Sequence, residues 1–134
     1  MSDISLITNE GAIDLSRPTQ ADLSALQYHN VKHSTAELVV ACGLNEAPLG
    51  ILQNAPTGSA SAEATAVVRI QGVSKLKIAE AVAFGDRLTS TAASKGEVVD
   101  AADEEICART LTSGDTNDLV AVQLMFGKSH SSDA

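Results

Sequence analysis

The stretch from Ala64 to Ile78 alternates strictly. Ala66, Val68, Ile70, Gly72, Ser74, Leu76 and Ile78 are apolar or small, while Arg69, Gln71, Lys75 and Lys77 stand at positions between them. Successive side chains of a strand point to opposite faces. This pattern therefore buries one face and wets the other, as in a half-buried antiparallel strand. The phase survives Gly72. That predicts either one long strand bent at the glycine or two strands meeting at a bulge.

The rest of the chain has the same texture. Strands are predicted over Glu37–Cys42, Gly50–Gln53, Arg87–Thr91, Glu97–Asp100, Ile106–Leu111 and Leu119–Phe126 as well, about seven in all. Turn residues separate them at Asn45–Pro48, Ala55–Gly58, Phe84–Asp86, Ser94–Gly96 and Ser113–Asp118. Short strands spaced by such turns fit a small all-β sandwich or barrel. In Leu119–Phe126, Val120, Val122, Leu124 and Phe126 are expected on one face, and Ala121, Gln123 and Met125 on the other. Asp103, Glu104 and Glu105 suit a helix start as well as they suit the approach to a strand at Ile106.

Before this region the pattern weakens. Residues 1–18 carry Ile4, Leu6, Ile13 and Leu15 as apolar beads in a polar thread, which fits an extended arm or a first edge strand. Thr19 is a candidate N-cap with Asp22 three residues on, and Leu23 and Leu26 are spaced to share a helix face. The expected organisation is an arm over 1–18, a short helix or connector over 19–35, a β domain over 36–127 and a flexible tail over 128–134.

Composition constrains function. The chain has 134 residues, no Trp, one Tyr and two Phe, so its core must be aliphatic. Aliphatic side chains bury less area each than aromatic ones, and self-association would cover more. The net charge is −8, with seven acids against two bases from Asp100 onward. No basic patch stands out, so nucleic-acid binding is not expected. No apolar run is long enough to span a bilayer, and the N-terminus lacks the regions of a signal peptide.

A search for chemistry finds little. His29 and His33 are four apart, but no third ligand completes a zinc spacing. There is no Gly-x-Ser-x-Gly elbow and no glycine-rich phosphate loop. Cys42 and Cys107 sit among apolar or small neighbours and read as reduced core thiols, although their spacing permits a pair. Lys75 and Lys77 suit edge protection of a strand, or a basic stripe facing an acidic partner. No enzyme activity, metal or cofactor is expected.

Four strings carry a family resemblance. Ala47-Pro48-Leu49-Gly50-Ile51-Leu52-Gln53-Asn54-Ala55-Pro56 is followed by a Gly/Ser/Ala loop and by Ala64 to Lys75, ending Gln71-Gly72-Val73-Ser74-Lys75. Further on come Ala83-Phe84-Gly85-Asp86-Arg87-Leu88-Thr89-Ser90 and a last strand from Gly114-Asp115 to Leu124, with a small insertion between Gly-Asp and the strand. These resemble the capsid decoration, or cement, proteins of tailed bacteriophages. The likeness spans about Glu46 to Phe126. It departs at Ile106-Cys107-Ala108-Arg109, where the family has a Gly-x-Ala strand, and in a longer arm.

The resemblance implies a non-enzymatic virion protein without a cofactor. Such a protein is made in the host cytoplasm and binds the outer capsid surface as a homotrimer, clamping neighbouring major capsid subunits of the expanded head. On that reading Ile4, Leu6, Ile13, Leu15 and Arg17 would contact the capsid. The rivals are another virion module, such as a tail or fibre domain, and a small carbohydrate-binding β domain.

Overall fold

A computed structural model describes residues 11–58 and 64–129. It is all-β, and the expected class of a small antiparallel sandwich or barrel holds. Ten strands form among the described residues: β1 (Ile13–Pro18), β2 (Asn30–His33), β3 (Val39–Ala41), β4 (Gly50–Leu52), β5 (Thr65–Gln71), β6 (Val73–Lys77), β7 (Arg87–Ser90), β8 (Gly96–Val98), β9 (Glu105–Thr110) and β10 (Leu119–Lys128).

The count exceeds the expected seven for identifiable reasons. The long alternating ribbon divides at Gly72 into β5 and β6, which belong to different sheets. Gly72 has φ +107, and a Cβ there would lie 3.0 Å from the Ala12 Cα. The residue therefore needs glycine twice over, for its left-handed backbone and for the close approach. Ile13–Pro18 is a strand at the sheet edge rather than a free arm, paired antiparallel with β5. Asn30–His33, expected within a helix or connector, is β2.

No helix forms among the described residues. The Asp22 carboxylate accepts from the Ser24 N–H at 2.9 Å, two residues on, which makes a local turn instead of a helix cap. Leu26 N–H then donates to Leu23 O, and His29 N–H to Leu26 O. Tyr28 has φ 64, which ends any right-handed run. Leu23 is buried, so the apolar spacing was a core signal without a helix.

The two sheets have the same plan. One is ordered β1-β5-β4-β2-β3 and the other β6-β10-β9-β7-β8, so adding five to each label maps the first onto the second. The parallel bridge from Thr19 to Val39 has its counterpart from Ile78 to Gly96. The β2–β3 and β7–β8 hairpins match in register and hydrogen bonding at an offset of 57 positions. Ser34 N–H donates to Leu38 O as Thr91 N–H donates to Lys95 O. The Ser34 and Thr91 hydroxyls each accept two backbone N–H groups in the same turn. Glu37 and Ser94 both stand in the left-handed region, at φ 62 and 67. The chain is thus a structural duplication, with halves at 13–71 and 73–128.

Each half has its own core. Leu23, Val31, Val39, Leu52, Ala66 and Val68 form one cluster within the first half. Leu76, Ile78, Leu88, Val120 and Val122 lead the other, which also takes in Ile51 from β4. Ile51 is the apolar link between the halves. The end of the described residues is also anchored. β10 runs to Lys128, and the buried Ser129 donates through Oγ to Ala101 O at 2.6 Å.

Candidate interaction surface

Among the described residues β1 is the outer strand of its sheet, with β5 on one side and no neighbouring strand in the sheet order on the other. The outward backbone groups of such a strand are a template for pairing with another chain. Asp14 fixes its place. The Arg69 Nε donates to Asp14 Oδ1 at 2.8 Å, and Nη2 donates to Oδ2 at 3.2 Å. Nη1 donates to the Val73 carbonyl at 2.9 Å, so one guanidinium ties β1, β5 and the start of β6 together.

This overturns the expectation that Arg69 points to water. It is only 9 % exposed. Alternation gave its face correctly as opposite to Val68, but β1 and the Gly72 crossover cover that face.

Of the residues expected to contact a capsid, Ile4 and Leu6 lie outside the described residues. Leu15 and Arg17 occupy alternate positions of β1 and so share one side of the strand, while the β1–β5 register shifts between Ile13 and Asp14. Ile13 is 47 % exposed, while Leu15 and Arg17 are half-buried.

Sequence reasoning missed exposed apolar residues on β10. The Gly72 carbonyl accepts from Leu124 N–H at 2.9 Å, and Gly72 also abuts Ala12. Ile13 follows Ala12, and Met125 and then Phe126 follow Leu124. All three are exposed. Phe126 was expected on the buried face with Leu124, but the β9–β10 register shifts between Leu124 and Gly127. The resulting bulge ends the alternation and leaves Phe126 46 % exposed. Gly127 directly after the aromatic residue was the one signal available.

A cleft of about 500 Å³ opens between the halves, lined by Ser24, Gln27, Tyr28, His29, Lys77 and Lys95 among others. The Lys75 ammonium sits 5.4 Å from the Tyr28 ring centroid. Lys75 and Lys77 lie on β6, an edge strand of the second sheet, as edge protection requires. Burial pushes the His29 pKa down, opposed by its contact with the Gln27 carbonyl and reinforced by Lys95 and Lys77. His33 is exposed. Among the described residues no three His, Cys, Asp or Glu side chains converge as a metal-holding group.

The two thiols are free and buried. Burial pushes Cys107 up to about 12 and also raises Cys42. Both are therefore protonated at neutral pH, the opposite of an activated nucleophile.

No known family model matches the chain, and no curated protein sequence matches it. Among solved structures it is similar to the N base of the head fibre gp8.5 of bacteriophage phi29, with a TM-score of 0.67 at 12 % identity. The match covers 84 % of this chain and 95 % of that one. What the two share at this identity is the fold.

Proposed function

We propose that this chain is a structural protein of a phage virion that binds the outer surface of the head. It acts there as a decoration protein, contacting the major capsid protein of the same phage and holding neighbouring subunits of the expanded shell together. It works by binding and not by catalysis, and self-associates as a homotrimer. The β1 edge with Ile13, Leu15 and Arg17 faces the capsid, joined by Met125 and Phe126. Ile4 and Leu6 extend that contact from the preceding segment. Weak contacts made in many copies over a shell act together through avidity.

The observation that supports this reading best is the likeness of fold to nearly the whole base of a head fibre. The motif resemblance over Glu46–Phe126 points to the same kind of particle by an independent route. The test uses expanded heads that lack this protein. Purified chain should co-sediment with them to saturation and raise the temperature at which they rupture. Failure to bind such heads at micromolar concentration would overturn the reading.

The fibre-base likeness favours a second reading, in which the chain seats a projecting fibre on the head. Images of decorated heads separate the two. A decoration protein gives low knobs over the shell, and a fibre base gives shafts at defined positions.

A further inference from the structure

The turns that lead into β2 and β7 share one backbone plan and carry different chemistry. His29 N–H donates to Leu26 O at 3.0 Å, and Asp86 N–H donates to Ala83 O at 3.3 Å. Tyr28 and Gly85 hold the same left-handed conformation, at φ 64 and 88. Glycine takes that conformation freely, whereas a tyrosine there is strained. The backbone plan therefore calls for neither Tyr28 nor His29, since Gly85 and Asp86 fill it in the second half. Strain of this kind collects at binding sites. Both residues line the cleft of about 500 Å³ between the halves.

The second half supplies positive charge. Lys77, at the end of β6, and Lys95, in the β7–β8 turn, also line the cleft, and among the described residues no acidic side chain does. Lys77 N–H donates to Tyr28 O at 2.9 Å, which ties the two sides together. The Lys77 ammonium makes no hydrogen bond or ion pair among the described residues. The Lys95 ammonium gives one N–H to Asn117 Oδ1 at 2.8 Å and keeps two. The Lys75 ammonium lies over the Tyr28 ring. Three cations thus gather at one place on a chain of net charge −8.

His29 is 8 % exposed. Its Nδ1 lies 3.0 Å from the Gln27 carbonyl, which can only accept, so Nδ1 carries the proton. Nε2 is left without a partner among the described residues. Burial holds the ring below the ordinary histidine value of 6.5, and Lys95 and Lys77 push the same way. The carboxylates on the neighbouring elements do not offset this. Asp22 accepts from Ser24 N–H and Asp118 from Asp115 N–H, each within its own turn. Glu80 accepts from Val98 N–H, and Glu97 lies among Glu80, Glu104 and Asp100. None of these acids contributes to the shift of His29.

We infer that this cleft binds a small organic oxyanion, a carboxylated or sulfated molecule, between Lys77, Lys95 and the His29 ring. The volume suits a ligand of about one or two sugar rings. Gln27, whose amide nitrogen is held by Gln53 O, offers its side-chain oxygen to a ligand hydroxyl, and Ser24 offers its own hydroxyl. The bound anion offsets the repulsion from the lysines, so His29 takes up a proton at Nε2 and donates it as a hydrogen bond to the oxyanion. Binding is therefore strongest at pH values below the lowered pKa of the free ring, and weakens as pH rises through the higher pKa of the bound one. No residue of β1 is involved, so anion binding and head binding can fail separately.

Tyr28 is the sole tyrosine and the chain has no Trp, so intrinsic fluorescence reads the cleft directly. The full-length chain is titrated with sulfate and with glucuronate, at an ionic strength held constant with chloride. Each probe should give a saturable change with a millimolar or lower Kd, and glucose should give none. Both anions stay ionised between pH 5 and 8, so any change of affinity over that range belongs to the protein. Affinity should fall about tenfold from pH 5 to pH 8, matching a rise of about one unit in the His29 pKa on saturation, read from its ring protons by NMR. Lys77→Gln should weaken both anions at least about fivefold with an unchanged melting temperature. His29→Gln should remove the pH dependence. An equal response to chloride or glucose, no saturable response to either anion, equal affinity at pH 5 and pH 8, or unchanged affinity in Lys77→Gln overturns the inference.

Discussion

The Arg69 guanidinium and the Asp14 carboxylate are joined by two hydrogen bonds across 55 positions of sequence. The pair holds the edge strand β1 to β5, and the third bond of Arg69, to the Val73 carbonyl, reaches the second half. Asp14 is partly exposed, so solvent screens its share. Asp14→Ala should destabilise the fold by about 1 kcal/mol. Arg69→Ala should cost about 2–3 kcal/mol, since it removes packing and leaves both Asp14 and the Val73 carbonyl without this partner. Urea unfolding of the two variants and the double variant checks this. The double variant should lose less than the sum of the singles.

The glycines separate steric from conformational need. A Cβ on Gly50 would lie 2.1 Å from the Arg69 carbonyl oxygen, a backbone atom of β5 that cannot move without breaking the ladder. Gly50→Ala should therefore cost more than about 3 kcal/mol, or prevent folding. Gly85 has φ +88 but nothing within 4 Å of its Cβ position. Its counterpart in the first half is Tyr28, which holds φ 64 with a full side chain. Gly85→Asn should cost at most about 1 kcal/mol. Similar melting losses for the two variants would contradict this division.

The contrast with Tyr28 also shows what the sequence could convey. Strand parity was legible wherever one face meets a core, as in Ala66, Val68, Leu76 and Ile78. Parity cannot report what covers the other face, and so Arg69 was misplaced. It also fails at a bulge, which is why Phe126 was turned inward. The duplication left almost no trace, because the equivalent residues need only the same backbone. Glu37 and Ser94 share a φ value and no chemistry, and Leu26 and Ala83 share only a turn carbonyl. The offset also drifts between strands, from 59 at the Thr19–Ile78 bridges to 57 in the hairpins. Of the candidate surface, Ile13, Leu15 and Arg17 were visible as residues, but their place on an edge depended on the pairing with β5.

The buried thiols give the fold an alkaline limit. Burial pushes the Cys107 thiol from about 9 up to about 12. Its folded pKa is raised, so the native state keeps a proton that the unfolded chain releases. The stability this thiol leaves intact below pH 9 is lost as pH rises from 9 toward 12, at up to about 1.4 kcal/mol per pH unit. Cys42 shifts the same way. Melting curves of wild type and Cys107→Ala between pH 8 and 11 should converge as pH rises, the variant starting lower because of its cavity and falling less steeply. Parallel curves would mean that Cys107 does not titrate on unfolding. Below pH 9 neither thiol should react with an alkylating reagent until the chain unfolds.

Truncation distinguishes the role of β1 from that of the segment before it. The register of β1 with β5 begins at Ile13. A chain starting at Gly11 keeps that ladder, the Asp14–Arg69 pair and the close contact of Ala12 with Gly72. It should melt within about 2 °C of the full chain, a shift below roughly 0.5 kcal/mol for a domain of this size. A chain starting at Thr19 loses the whole strand, removes the Asp14 carboxylate from a guanidinium that is 11 % exposed and bares the β5 edge. It should be destabilised by more than about 4 kcal/mol and aggregate. Head binding then divides the contact. If the Gly11 chain folds but no longer binds heads, the anchors are Ile4 and Leu6. If it binds as before, they are Ile13, Met125 and Phe126, and replacing Ile13 and Phe126 with Ser should abolish binding without unfolding the domain.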